Sequence, residues 1–373
     1  MTQRERLLAF LNNEPVDRVP IWLLFPYHPA PYYADVWNLP VYWPINELGL
    51  KTAVWLDRRG LHVPFFTPEV AISTEEVVEG NEYVTRTVYQ YRGLRLTEEK
   101  RVSEEGARWK KMLAAEEDLE ILLQFPVITD AGAIAAALAP QLERWHQEAA
   151  QFPPHLGLMM SDLGEPIGEI YHRSNLEELS VWSLTCPELV DEILERSMVR
   201  CRAVYRQVLE AEAGDVFFMV GSELAAPPMV SRPTFQRWIV PYATELIALV
   251  HRYDNKVIQH FHGQIQEILP DFLTMAPDAL HTIEAPPIGN CTLTEAFETV
   301  GDRIGLIGNI QYDEFQRLTP DGMDAAVCAV LEEAQGKRFM LSPTAGPYET
   351  EITERQQANY LQFLRSGWLY GKN

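Results

Sequence analysis

Basic residues are scarce in this chain: 31 Lys and Arg stand against 53 Asp and Glu over 373 residues, a formal charge of −22. No block of Lys or Arg breaks that balance. Such a surface repels nucleic acid and anionic membranes, so neither is an expected partner. Cysteine is scarcer still. Cys186, Cys201, Cys291 and Cys328 show no CxxC spacing, which argues against a disulfide scaffold or a Cys-rich zinc knot. No apolar run approaches the roughly 20 residues that span a bilayer, and Met1-Thr-Gln-Arg-Glu-Arg is too charged to open a secretory signal. The expectation is a soluble, cytoplasmic protein. There is also no Pro/Gly/Ser linker, low-complexity stretch or short-period repeat to divide the chain, so a single domain over 1–373 is expected.

What is present is a 47% hydrophobic composition, enough for a large core. An opening helix at 3–12 is stopped by Pro15, and extended runs follow at 18–24 and 52–56. From about 70 to 112 the text alternates β-branched and charged residues around an Arg92-Gly93 turn, which predicts an inserted antiparallel β-hairpin. Helical text fills 131–150. Six more apolar runs then recur at 155–160, 215–220, 256–261, 279–284, 304–309 and 338–341, separated by helical segments such as 235–251, 264–275 and 323–334. About eight strands alternating with helices predict an α/β protein, a (β/α)8 TIM barrel with an N-terminal helical segment.

Active sites in that fold lie at the C-terminal strand ends. Those ends carry Tyr27, His28, Asp57, Asp162, Glu165, Ser222, Glu223, His260, His262, Glu284, Asn309 and Ser342. Within His260-Phe-His-Gly, alternate residues share a face, so both imidazoles project to one side. Two such imidazoles make a metal or acid–base site, or else a pair of hydrogen-bonded core histidines. Glu284, facing a mouth lined with Tyr and Trp, reads as a general acid/base or as a solvated loop acid. Glu223 reads as a ligand or as a helix cap. Cys201 and Cys328 read as buried hydrophobes, Cys291 as a loop thiol, Arg18 as a buried salt bridge, and Trp238 and Met275 as core.

The segments Glu14-Pro-Val-Asp-Arg-Val-Pro-Ile-Trp, Ser231-Arg-Pro-Thr-Phe-Gln-Arg-Trp, His260-Phe-His-Gly and Gly301-Asp-Arg-Ile-Gly-Leu-Ile-Gly-Asn-Ile occur in register over nearly the whole chain. In that order and spacing they resemble the uroporphyrinogen decarboxylase superfamily, which also contains corrinoid-dependent methyltransferases. True decarboxylases carry arginines after the Asp-Arg-x-Pro segment for the substrate carboxylates. Here that stretch is Phe25-Pro-Tyr-His-Pro-Ala-Pro-Tyr-Tyr, without arginine, so a polycarboxylate is poorly matched. Tyr27 and His28 are instead expected to bind a smaller or more aromatic substrate, with Ser222 and Asn309. The hairpin excursion resembles an insertion of methyltransferase-like members.

Those members bind zinc through an HxCG motif and a second Cys after the last strand. Their zinc presents a thiolate to a methyl-corrinoid. By that resemblance His260 matches the first ligand, His262 takes the place of the first Cys, and Thr344 or Ala345 falls where the second should be. Glu223, then Glu284, are the candidate replacement ligands. The implied set of His260, His262 and Glu223 suits a divalent metal, zinc first, with Fe, Mn or Co as alternatives. The expected function is metal-assisted methyl transfer between a methyl-corrinoid, on a corrinoid partner protein, and a small thiol or other nucleophile. The alternatives are a cofactor-free decarboxylase, in which Asp57 or Glu284 stabilises a protonated intermediate, and a non-catalytic ligand-binding barrel. Tyr171 and His172, close after Gly164-Glu-Pro, lie near a tyrosine that decarboxylases place there, and the spacing admits either as a catalytic group.

Overall fold

A computed structural model describes residues 1–372. Eleven strands fall into two sheets: β1 (Trp55–Gly60), β2 (Ala71–Glu79), β3 (Glu82–Tyr91), β4 (Leu94–Ser103), β5 (Gly106–Lys110), β6 (Gly157–Asp162), β7 (Val216–Val220), β8 (Lys256–His260), β9 (Ala279–His281), β10 (Gly305–Ile310) and β11 (Phe339–Pro343). One sheet is parallel, in the order β1-β6-β7-β8-β9-β10-β11, and the other is antiparallel, in the order β2-β3-β4-β5. No helix is long and apolar enough to cross a membrane among the described residues.

The expected strand at 18–24 is reduced to two bridges. Ile21 pairs with Leu341 of β11, and Trp22 pairs with Val54 beside β1, so one segment touches both edges of the parallel sheet. Trp22 N donates to Leu341 O at 2.8 Å, and Val54 N donates to Ile21 O at 2.8 Å. The ladder stays short for two local reasons. Pro20 has no N–H to give, and Leu24 adopts a left-handed φ of 61°.

Alternation within the strands separates two apolar layers. Val54 and Leu56, Leu158 and Met160, Val216 and Phe218, Ile258, Ala279, Ile307 and Met340 share one inner cluster with Trp22 and Leu24. The opening helix Gln3–Leu11 plugs the bottom of that cluster with Leu7, Phe10 and Leu11. Its start is set by Thr2, whose hydroxyl accepts from Glu5 N while Glu5 accepts from Thr2 N, a capping box. The intervening residues, such as Trp55, Met159, Phe217 and Val257, face outward into the larger cluster with the helices. One turn above the inner cluster, on the same faces, come Arg58, Asp162, His260, His281, Asn309 and Ser342.

The expected hairpin is a four-stranded meander. Its β3–β4 turn, Arg92-Gly93, has φ of 47° and 85°, the two left-handed residues of a tight hairpin. One face of this sheet carries an ion-pair ladder of Glu79, Arg86, Glu99, Arg101 and Glu82. The other face begins at its root with Ile72, Tyr89 and Leu96 in cross-strand register. Arg18 also departs from expectation. Its guanidinium stacks 3.5 Å over the Trp368 ring and donates to Trp368 O, while Asp17 pairs with Arg6 instead. Trp238 and Met275 are core, as expected.

Candidate active site

His260 ends β8 and His281 ends β9, and the two are register partners. Their rings stack with centroids 4.8 Å apart, and the two Nδ1 atoms lie 2.7 Å apart. Each tautomer follows from the acceptor at the far end. His281 Nε2 lies 3.0 Å from Pro343 O, which can only accept, so Nε2 carries the proton. A neutral His281 therefore accepts at Nδ1, and His260 must donate from its own Nδ1. That leaves the His260 lone pair on Nε2. Both rings are neutral. Burial holds His281 down to about 3, with the Pro343 carbonyl opposing and His262 and Arg58 assisting. Burial, then His281, His262 and Arg58, hold His260 well below the ordinary imidazole range.

His262 meets His260 edge to face at 4.5 Å. Its Nδ1 lies 3.2 Å from Glu284 Oε1, and Glu284 Oε2 accepts from Gly263 N at 2.6 Å. Burial opposes charge on His262, but the Glu284 carboxylate outweighs it and Glu223 adds to the effect, so its pKa is raised. Three histidines in contact thus divide into two neutral rings and one that favours the cation. Glu284 is buried and held by this pairing, not solvated.

Glu223 lies in the turn after β7, tied to Gly221 N at 2.7 Å, with its pKa raised by burial against those backbone bonds and the pull of His262. Ser222 Oγ donates to Glu165 Oε2 at 2.6 Å. Burial pushes Glu165 up to about 7, the Ser222 bond opposing and the Glu223 charge assisting. Above about pH 4.5 an unfolded Glu165 ionises while the folded one stays protonated until about 7, so stability falls across that window. The change is on the order of 3 kcal/mol. Glu165→Gln, which keeps an oxygen for Ser222, is expected to remove this slope and to be more stable than wild type at pH 8 but not at pH 4.5. Urea unfolding at both pH values checks this.

Tyr171 lies against Gly221, where a Cβ would come within 1.8 Å of the phenol oxygen, and burial raises its pKa so that the O–H is retained. Arg58 donates to Asp162 from Nε at 2.9 Å and again from Nη2, and to Tyr33 OH at 3.2 Å. Its guanidinium also lies 4.7 Å from the Phe218 centroid, and that ring lies 5.3 Å from His260. A cleft of about 1110 Å³, lined by Arg58, Asp162, Glu165 and Tyr171 but by none of the three histidines, runs from the ends of β1, β6 and β7 to the meander. A second hollow of about 940 Å³ lies between the opening helix and Arg338, remote from every residue above.

Three expected site residues point elsewhere. Asp57 shares the outer face of β1 with Trp55. Its carboxylate accepts from Tyr27 N, His28 N and Arg59 and lies 2.7 Å from His28 Nδ1. It is a buried anchor, not a group at the mouth. Tyr27 packs its ring on Trp37, Trp55 and Phe152, so neither it nor the Asp57-bound His28 lines the cleft. Asn309 is on the inner face, with its Oδ1 buried and unpartnered. Thr344, at the position of the missing thiolate, is buried and its hydroxyl accepts from Tyr312 N at 3.1 Å. Cys291 is buried rather than on a surface loop, and burial pushes its thiol up to about 12. Cys201 is buried as expected, and Cys328 is only half-buried.

The donor chemistry suits a divalent ion in part. His260 is neutral, its Nδ1–H is anchored through His281 to a carbonyl, and its Nε2 lone pair is uncommitted, the condition of a ligating histidine. His262 keeps Nε2, and Glu223 supplies a carboxylate. Among the described residues, however, no group of three or more His, Cys, Asp or Glu is gathered closely enough to hold an ion.

Arg58 and His281 are the residues that sequence reasoning missed. The alternation Val54, Leu56, Arg58 places the guanidinium inside. His281 ends an apolar run as His260 does.

Comparison with known proteins agrees with this architecture. Residues 170–354, which hold Tyr171, Glu223, all three histidines and Glu284, match the uroporphyrinogen decarboxylase (URO-D) family model. No curated protein sequence matches the chain. A methyltransferase from Methanosarcina mazei superposes with a TM-score of 0.57 at 16% identity, covering 98% of this chain and 98% of that one. A B12-independent methionine synthase from Shewanella sp. W3-18-1, in complex with selenomethionine, aligns with a TM-score of 0.40 at 12% identity, over 61% of this chain and 65% of that one. The strand-end histidines lie inside that matched segment, so the site sits in the part of the chain that is similar to the uroporphyrinogen decarboxylase family.

Proposed function

We propose that this chain is a methyl-transferring enzyme of its superfamily, built on a (β/α)8 barrel whose eighth stave is the segment through Ile21 and Trp22. Its reacting centre is His260 Nε2. The observation that carries this reading is the chain of hydrogen bonds from His260 through His281 to Pro343, which fixes a buried neutral imidazole with its lone pair uncommitted. The end-to-end match to a methyltransferase supports the fold on which that site sits.

His260, His262 and Glu223 are the side chains that would hold a divalent ion, zinc first, once drawn closer together than they stand in this structure. When bound, the ion would supply a Lewis acid that lowers the pKa of a thiol acceptor and so makes it nucleophilic near neutral pH. A methyl-corrinoid, carried by a corrinoid protein, is the proposed methyl donor. Glu284 orients His262 by accepting from Nδ1, which leaves the His262 Nε2 for the ion. Glu165, poised near neutrality, takes the proton that the acceptor releases. Tyr171 holds its O–H over Gly221 beside Glu165.

Decarboxylation of a carboxylate substrate fits less well, because the nearby arginines are already paired. Arg58 is bound by Asp162, Arg59 by Asp57 and Glu148, and Arg173 and Arg200 by Glu169. Elemental analysis of untagged protein, followed by methylcobalamin demethylation with a panel of thiols and amines, tests the proposal. The expected result is a bound divalent ion and turnover with at least one acceptor. A folded, metal-loaded sample that turns over none would contradict it.

A further inference from the structure

We propose that the cleft under the meander takes an uncharged aromatic molecule, its ring beneath the sheet and its hydrogen-bonding end toward Glu165 and Tyr171. This rests on the reading of the strand ends as the reacting centre, which the cleft approaches through Glu165, Tyr171 and Gly221 rather than through the histidines themselves, and it names the substrate class of that centre. The cleft, at about 1110 Å³, is far larger than a small thiol or methylamine and lies in the size range of sites for drug-sized ligands.

Its two ends differ in chemistry. The outer end is walled by Tyr32, Phe65, Phe66, Ile72, Tyr89 and Met112. Ile72 and Tyr89 face each other across β2 and β3, so the meander itself roofs this end, and the Tyr89 ring lies 5.6 Å from Phe66. Aromatic walls of this kind favour a planar π system over a saturated body of equal size. The inner end carries Glu165, its O–H retained to near neutrality, and the Tyr171 phenol.

Charge decides the ligand's polar end. Three arginines line the cleft, and each is paired within it: Arg58 with Asp162, and both Arg173 and Arg200 with Glu169. The lining acids outside those pairs are Glu98, which accepts from Tyr89 OH at 3.2 Å, and Glu165. A carboxylate would therefore meet no unpaired guanidinium and the Glu98 carboxylate, whereas a hydroxyl or ether finds both donors and acceptors.

Calorimetric titration of the metal-loaded protein near pH 7 with three probes tests this: 2-naphthol, 2-naphthoate and the saturated alcohol 2-decalol. The expected result is binding of 2-naphthol about tenfold or more tighter than either comparison probe. Tyr89→Ala should weaken it by about tenfold, and Ile72→Arg, at a half-exposed roof position, should weaken it likewise. No binding of 2-naphthol, equal or tighter binding of 2-naphthoate or 2-decalol, or indifference to both roof variants would overturn the proposal. The readout is binding, so it stands or falls separately from methyl transfer. Probe binding without turnover leaves this inference and removes the proposed reaction, and turnover of small thiols without probe binding does the reverse.

Discussion

With His260 replaced by alanine, demethylation of methylcobalamin is expected to fall on the order of 10²- to 10⁴-fold, the usual contribution of a positioned acid–base or ligating group. The stability loss should be only about 1–3 kcal/mol, the cost of leaving His281 Nδ1 without its donor. The large effect follows because no other nearby imidazole can take its place. His281 is closed off by Pro343 and by His260 itself, and His262 is turned to Glu284. His281→Phe gives the companion measurement. It keeps a ring beside His260 but removes the acceptor that holds the His260 proton at Nδ1, so His281 acts as a positioning residue. A fall of about 10- to 100-fold is expected. Loss of that acceptor also lets His260 carry its proton on Nε2, so the fall should appear in the rate per folded molecule. A merely structural His281 would lower the amount of active protein without lowering that rate.

Asp57→Ala is expected to destabilise the protein by about 3–5 kcal/mol, the cost of breaking a buried, hydrogen-bonded ion pair from one side. The carboxylate is fully buried and serves Tyr27 N, His28 N, His28 Nδ1 and Arg59 together. Its loss strands two backbone donors and a guanidinium that keeps only Glu148 and the Pro29 carbonyl. Because Asp57 faces away from the mouth, the fraction that remains folded should keep most of its specific activity. Urea unfolding, with activity normalised to folded protein, checks both halves. Unchanged stability with activity lost would return Asp57 to the reacting centre.

Periodicity carries much of this fold into the sequence, but it marks positions better than directions. The runs at 155–160, 215–220 and 256–261 become β6, β7 and β8 because they are apolar on both faces, as a parallel strand covered by helices must be. The run at 18–24 looks equally strand-like, yet Pro20 and the turn at Leu24 confine it to two bridges. Asp57 and Arg58 show the same limit at the site. Both are charged residues at one strand end, and only the parity set by Val54 and Leu56 sends the guanidinium inward and the carboxylate outward. His260 and His262 were legible because an HxH at a strand end is rare in an otherwise apolar text. His281 was not, since a lone histidine inside the expected run 279–284 gives no hint that the strand ends there, in register with His260. The pairing of Tyr27 and His28 with the outer layer likewise depends on Trp37, Trp55 and Phe152, which are distant in sequence.

The central claim is that His260 is neutral and keeps its Nε2 lone pair uncommitted. Nitrogen-15 NMR of histidine-labelled protein, with His260→Ala and His281→Phe for assignment, reads that state directly. In metal-free protein from about pH 6 to pH 8, where an ordinary imidazole titrates, His260 should show a protonated Nδ1 and a bare Nε2 with no change across the range. An imidazolium at His260, or a proton on its Nε2, would contradict the account.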